Sequence, residues 1–167
     1  MGDKYADERY DPALGECSDI ELKFDGQYLR MLIGNGDSYH YPAVSGVPGE
    51  YGRFDYSVAA QRGGPGGPIP EGEYWVNPEE IWENAWYKRG SYDSWGDYRL
   101  TIHPHTTTVT YKRGGFFIHG GKVFGSIGCI DLAYSINAFV ADIRKRVGPR
   151  ECQIPLTVDY GNDKGHT

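Results

Sequence analysis

Glycine and proline interrupt this chain so often that long regular elements are excluded over most of its length. Twenty-four glycines and ten prolines are spread through 167 residues, and such punctuation favours short strands joined by turns. One stretch escapes it. Leu132, Ile136, Phe139, Ile143 and Val147 fall at steps of four, three, four and four, the apolar stripe of a helix, which Gly148-Pro149 then stops. Elsewhere the period is two. Ile20, Leu22 and Phe24 alternate with polar residues up to Asp25-Gly26, and residues 28–33 return as the second arm of a hairpin. Residues 73–76, 98–103, 107–112, 115–118 and 154–160 read as further strands, the second and third pairing around His103-Pro104-His105. Residues 48–70 repeat no apolar period and are expected to form a long loop. The expectation is a mainly β domain with one principal helix.

The formal net charge is −6, and Lys and Arg are scattered apart from Arg144-Lys145-Arg146. A nucleic-acid binder gathers positive charge on one face, so nucleic acid is not an expected partner. No window approaches the eighteen apolar residues of a membrane span, and the polar start lacks the apolar stretch of a leader peptide. Membrane insertion is not expected, and the organisation reads as an arm over 1–18, one domain over 19–161 and a polar tail over 162–167, acting as a monomer. Cys17, Cys129 and Cys152 are too few and too dispersed for a zinc knuckle or a disulfide framework. A bridge between Cys17 and Cys152 stays open, since spacing fixes no geometry.

The segment richest in chemistry is 116–131, Phe-Phe-Ile-His-Gly-Gly-Lys-Val-Phe-Gly-Ser-Ile-Gly-Cys-Ile-Asp. A strand delivers His119 to a glycine loop, and ten residues later Cys129 stands just ahead of the helical stripe. An ordinary thiol is only a few per cent thiolate at neutral pH and needs a base, a helix N-terminus, or both. His119 is the candidate base, and a thiolate-like alkylation profile is the expectation for Cys129. Gly120 and Gly121 shape the loop, while the amides around Gly128 and Cys129 are candidate oxyanion donors. Taken singly, the cysteine and the histidine read equally well as packing and turn residues.

His119 with Ser126-Ile127-Gly128-Cys129-Ile130 resembles the L,D-transpeptidase catalytic signature, a histidine followed by Ser-x-Gly-Cys and an aliphatic residue. Tyr41-Pro42-Ala43-Val44-Ser45-Gly46, the run from Gly67 to Tyr74 and the run from Arg113 to Gly120 resemble one branch of that superfamily, the L,D-transpeptidase-like effectors of type VI secretion, the Tlde1 group. The resemblance implies a sandwich- or barrel-like β fold in which the principal helix follows the nucleophile. It implies that Cys129 attacks a stem-peptide carbonyl of peptidoglycan, with His119 as base and then acid and with Ser126 and Gly128 at shaping positions. Trimming of tetrapeptides, exchange of the terminal D-alanine, secretion into a target cell's periplasm and a cognate immunity protein are implied as well; no cofactor or metal is.

Transpeptidases of the ordinary kind carry an arginine where this chain has Asp131. Asp131 is therefore a candidate substrate contact, or equally a first-turn acidic residue favoured by the helix dipole. Tyr41, His40 and Arg99 are further candidates for contacting substrate, as are Arg53 and Arg62, and Trp82, Trp86 and Trp95 could wall a cleft. His103 and His105 read as a turn rather than a metal site. Two alternatives belong beside the enzyme reading. A papain-type peptidoglycan amidase places its cysteine before its histidine, the reverse of the order here. A non-catalytic peptidoglycan-binding module would leave Cys129 unreactive.

Overall fold

The computed structural model describes residues 13–63, 66–83, 96–122, 125–148 and 150–161. Among them eleven strands form two sheets, a mainly β fold with one principal helix. The first sheet holds β1 (Ile20–Phe24), β2 (Tyr28–Ile33), β3 (Ser38–Pro42), β5 (Gly72–Val76), β8 (His103–Pro104) and β11 (Ile154–Val158), in the order β3-β2-β1-β11-β5-β8. The second holds β4 (Val44–Gly46), β6 (Ile81–Glu83), β7 (Tyr98–Thr101), β9 (Phe117–His119) and β10 (Ser126–Asp131), in the order β4-β10-β9-β7-β6. A short helix α1 (Val58–Gln61) interrupts the long connection, and α2 (Ile136–Val147) follows β10.

Alternation explains the first sheet. Ile20, Leu22 and Phe24 turn inward while Glu21 and Lys23 stay exposed, and β2 answers in register, Leu22 opposite Met31. The chain crosses between sheets at Ala43 and at Ile102, both buried. Leu22, Met31 and Leu156 meet Leu100, Ile118 and Ile130 of the second sheet and Ile136, Phe139, Val140 and Ile143 of α2 in one cluster. Each such side chain contributes roughly 1.5–3 kcal/mol of gross burial. The helix ends where expected: Gly148, at φ 75, donates to the Arg144 carbonyl.

Two features depart from the sequence reading, and the structure answers one question it leaves open. Residues 107–112 form no strand, because Tyr111 and Lys112 both take left-handed backbone conformations that a ladder cannot accommodate. The connection expected to be loop contains α1, capped by Ser57 accepting from the Ala60 amide. Cys17 and Cys152 are joined by a disulfide with Cα atoms 5.0 Å apart. Beside it the Cys17 amide donates to the Gln153 carbonyl and the Gln153 amide to Gly15, so this part of the expected arm lies along the domain. Residues 1–12 of that arm, the tail 162–167, Trp86 and Trp95 lie outside the described residues.

Candidate active site

The outer face of the second sheet assembles the chemistry. β9 and β10 run parallel, with Ile130 opposite Ile118 and Asp131 opposite His119. Side chains alternate along a strand, so Ile118 and Ile130 enter the core while Phe117, His119, Cys129 and Asp131 share the other face. β7 extends the pattern: Arg99 lies opposite His119 and Thr101 opposite Phe117. Trp82 on β6 pairs with Arg99 and stands 44% exposed at the rim. Arg99, His119 and Asp131 thus form one row across the sheet, and Cys129 sits one diagonal step from His119.

The nucleophile candidate is on a strand. Six residues separate Cys129 from Ile136, the first residue of α2, and the chain between them passes through the end of β10 and a 3-10 turn at Ala133–Ser135. Cys129 is therefore not the residue that opens the helix. Cys129 is 4% exposed and packs on Phe117, with Sγ 3.9 Å from the Gly115 carbonyl. Burial pushes its thiol up to about 12, helped by the charge of Asp131 and opposed by the Phe117 amide and by Arg113 and Arg99. Burial thus favours the neutral thiol over the thiolate.

His119 is buried as well, and burial lowers its pKa to about 4 against the pull of the Gly120 carbonyl. Its Nδ1 is 2.6 Å from that carbonyl and donates to it, which leaves Nε2 as the basic nitrogen of a neutral ring. Cysteine and histidine are therefore both uncharged at neutral pH.

Asp131 is buried with both oxygens taken by backbone donors: Oδ1 accepts from Ala133 and Oδ2 from Gly125, each at 2.8 Å. Burial raises it to about 6 although both amides pull it down. Its Oδ1 is 4.0 Å from His119 Nδ1. This is a brace between the glycine loop and the turn after β10. Asp131 closes β10 rather than standing in a helix first turn, and both of its carboxylate oxygens are engaged by backbone amides.

The glycines also read differently in place. Gly128, at φ 72, donates its amide to the Gly67 carbonyl at 2.9 Å, so this amide is not an oxyanion donor as it stands. A β-carbon there would lie 3.0 Å from Arg113 and from the Phe116 ring. Ser126 donates to the Cys129 carbonyl at 3.3 Å across an irregularity in the β10–β4 register. Gly120 has no room for a side chain against Ile136, and the Gly121 amide donates to Ala133.

Two candidates are placed elsewhere. Tyr41 is buried edge-on against Phe139 and donates to Asp142 at 2.6 Å, an anchor for α2. His40 alternates to the exposed side of β3, the edge strand of the other sheet, where it faces Tyr28. Arg99 does join the site, its guanidinium 5.2 Å from the Phe117 ring. His103 stacks on Trp75 and lies 2.7 Å from Glu80. Among the described residues no group of three or more His, Cys, Asp and Glu is placed to hold a metal ion, and no helix is long and apolar enough to cross a membrane. Arg113, to which no role attached in the sequence, reaches the rear of Gly128. Its partners are backbone carbonyls far away in the chain, and these leave no sequence pattern.

Fold and site together define a two-sheet, mainly β protein with a buried cysteine and histidine on neighbouring strands of one sheet. The chain belongs to the Tlde1 domain family, whose model matches residues 52–149 and so includes His119 and Cys129. No curated protein matches it. Among solved structures it is similar to an L,D-transpeptidase from Mycobacterium smegmatis, with a TM-score of 0.42 and 14% identity. That likeness covers 85% of this chain, which spans 59% of the transpeptidase's length.

Proposed function

We propose that this protein is a cysteine acyl-transfer enzyme acting on the stem peptides of peptidoglycan, with Cys129 as nucleophile and His119 as general base. The observation that carries the reading is the shared sheet face. It sets a thiol one diagonal step from an imidazole whose Nδ1 proton is anchored on Gly120, leaving Nε2 to accept. Family membership and the Ser-x-Gly-Cys signature support the substrate class.

In this mechanism the Cys129 proton passes to His119 Nε2 as sulfur bonds to the peptide carbonyl carbon. Because both groups begin neutral, proton transfer accompanies attack. His119 then protonates the departing amine, and a thioester remains. Water or a free D-amino acid attacks the thioester, His119 takes its proton, and the returning proton restores the thiol. Water gives L,D-carboxypeptidase trimming of tetrapeptides; an amine gives exchange of the terminal D-alanine.

The disulfide supports action in an oxidising compartment, as a periplasmic target would provide. Delivery by a type VI apparatus and an immunity protein covering the cleft complete the reading. A wall-binding module without turnover is the second reading, favoured by the burial of Cys129.

The test incubates purified tetrapeptide muropeptides, with and without a second D-amino acid, with wild type and Cys129→Ala, and follows products by mass spectrometry. Loss or replacement of the terminal D-alanine by wild type alone is the expected result. Unchanged muropeptides with both proteins, alongside retained wall binding, would transfer the assignment to the binding module.

A further inference from the structure

We propose that Arg113 is the positioning residue of the nucleophile, strapping the glycine- and proline-rich connection to the turn that carries Cys129 and holding a positive charge behind the sulfur. The inference rests on the reading of Cys129 as nucleophile, and its geometry stands on four observations.

First, the guanidinium is half-buried and donates to three backbone carbonyls of one connection: Nη1 to Gln61, the last residue of α1, at 2.7 Å and to Pro68 at 2.6 Å, and Nη2 to Gly67 at 2.9 Å. A planar fork with fixed donors suits this work, and a lysine ammonium does not reproduce it. Second, the carbonyl of Gly67 also accepts from the Gly128 amide, so the strapped loop touches the residue before Cys129.

Third, glycines line the path of the side chain. A β-carbon at Gly63 would meet Arg113 Cδ at 2.6 Å, one at Gly67 would meet Nη1 at 3.4 Å, and one at Gly128 would meet Nη2 at 3.0 Å. Arg113 thus lies against glycines of two separate segments, although the Ala60 carbonyl, 2.4 Å from a β-carbon, is the nearer obstacle at Gly67, and Gly63 and Gly128 also take positive φ. Fourth, the two residues before it, Tyr111 and Lys112, are held at φ 55 and 63. Left-handed backbone is uncommon outside glycine and clusters where surroundings over-determine the geometry. Here it aims the next residue, Arg113. Arg62 adds a second clasp, with its guanidinium 5.9 Å from the Tyr111 ring.

The consequence is chemical. A charge fixed against Gly128, the residue before Cys129, favours the thiolate that develops during attack, opposing the cost of burial. Gln61, Gly67 and Pro68 are then the strapped points of the connection over 48–70 beside the site.

The experiment reads the local charge directly. Cys129 is alkylated with neutral iodoacetamide and with anionic iodoacetate in wild type, Arg113→Gln and Arg113→Lys, and the iodoacetate-to-iodoacetamide rate ratio is compared. Cys129 is the single free cysteine. The expected result is a ratio several-fold lower in Arg113→Gln and largely kept in Arg113→Lys, because a change of access alone moves both rates together. With muropeptide, Arg113→Gln is expected to lose about tenfold or more in kcat, the size of one pKa unit, with KM within threefold. If Arg113→Gln does not fold, Gly63→Ala pushes the side chain aside and is expected to lower the ratio likewise. A ratio unchanged from wild type in the folded variant overturns the proposal. A lowered ratio in a protein that leaves muropeptides untouched keeps the placement of Arg113 and sinks only the proposed substrate.

Discussion

Around pH 5 the unfolded chain carries a proton on His119 and none on Asp131, whereas the folded protein holds a neutral imidazole and a protonated carboxyl. The two displacements have opposite signs in stability. The His119 pKa is lowered on folding from 6.5 to about 4, so stability from this group falls as pH drops through that window. The Asp131 pKa is raised from 3.8 to about 6, so stability from that group rises as pH drops from about 6 towards 3.8. Their sum is nearly flat. In Asp131→Asn only the histidine contribution survives, and the variant is expected to lose about 2–3 kcal/mol more than wild type between pH 6.5 and pH 4. Urea unfolding at a series of pH values checks this; parallel curves for the two proteins would refute it. At this scale the sequence was informative where a motif names a residue, as for His119 and Cys129. It was silent for Arg113 and ambiguous for Asp131, whose partners are backbone atoms that no side-chain pattern records.

Strand β10 shows how element and residue readings can part. Its six residues carry Ser126 and Gly128, and a glycine at φ 72 with a register irregularity disguises the period of two, so the segment resembles a loop leading to a helix. The β1–β2 hairpin, the α2 stripe and the strand delivering His119 were legible because their alternation or helical period is unbroken. The glycine loop between β9 and β10 is held by contact as much as by hydrogen bonds. A β-carbon at Gly120 would lie 2.4 Å from Ile136 Cγ2 and 2.5 Å from the Ala133 carbonyl. Gly120→Ala is expected to cost about 2–3 kcal/mol through overpacking and to displace His119 from its row. Gly15→Ala, with nothing within 4 Å, serves as the control and should change stability by less than about 0.5 kcal/mol. Equal unfolding midpoints for the two variants would contradict the packing described.

The whole molecule is organised by a pairing that no local pattern announces: β1 and β11 lie side by side and parallel at the middle of one sheet, Leu22 opposite Leu156. The disulfide closes this arrangement over a sequence separation of 135 residues. Restricting so long a loop in the unfolded chain is worth about 3–5 kcal/mol in the chain-entropy description. Cys17→Ser with Cys152→Ser, or reduction of wild type, is expected to lower unfolding stability by about that amount. Denaturant melts with and without dithiothreitol provide the measurement, and coincident melts would mean that the bridge contributes nothing.

The same bridge sets the mechanics of the fold. Tension applied from outside the two cysteines passes from Cys17 across the sulfur atoms to Cys152, so residues 18–151 lie off the load path. In the oxidised protein such a pull reaches, among the described strands, β11, loading it in shear against β1 and β5 while the histidine and cysteine strands lie off the load path. Once reduced, the same pull draws on the full chain, and the site comes apart with everything else.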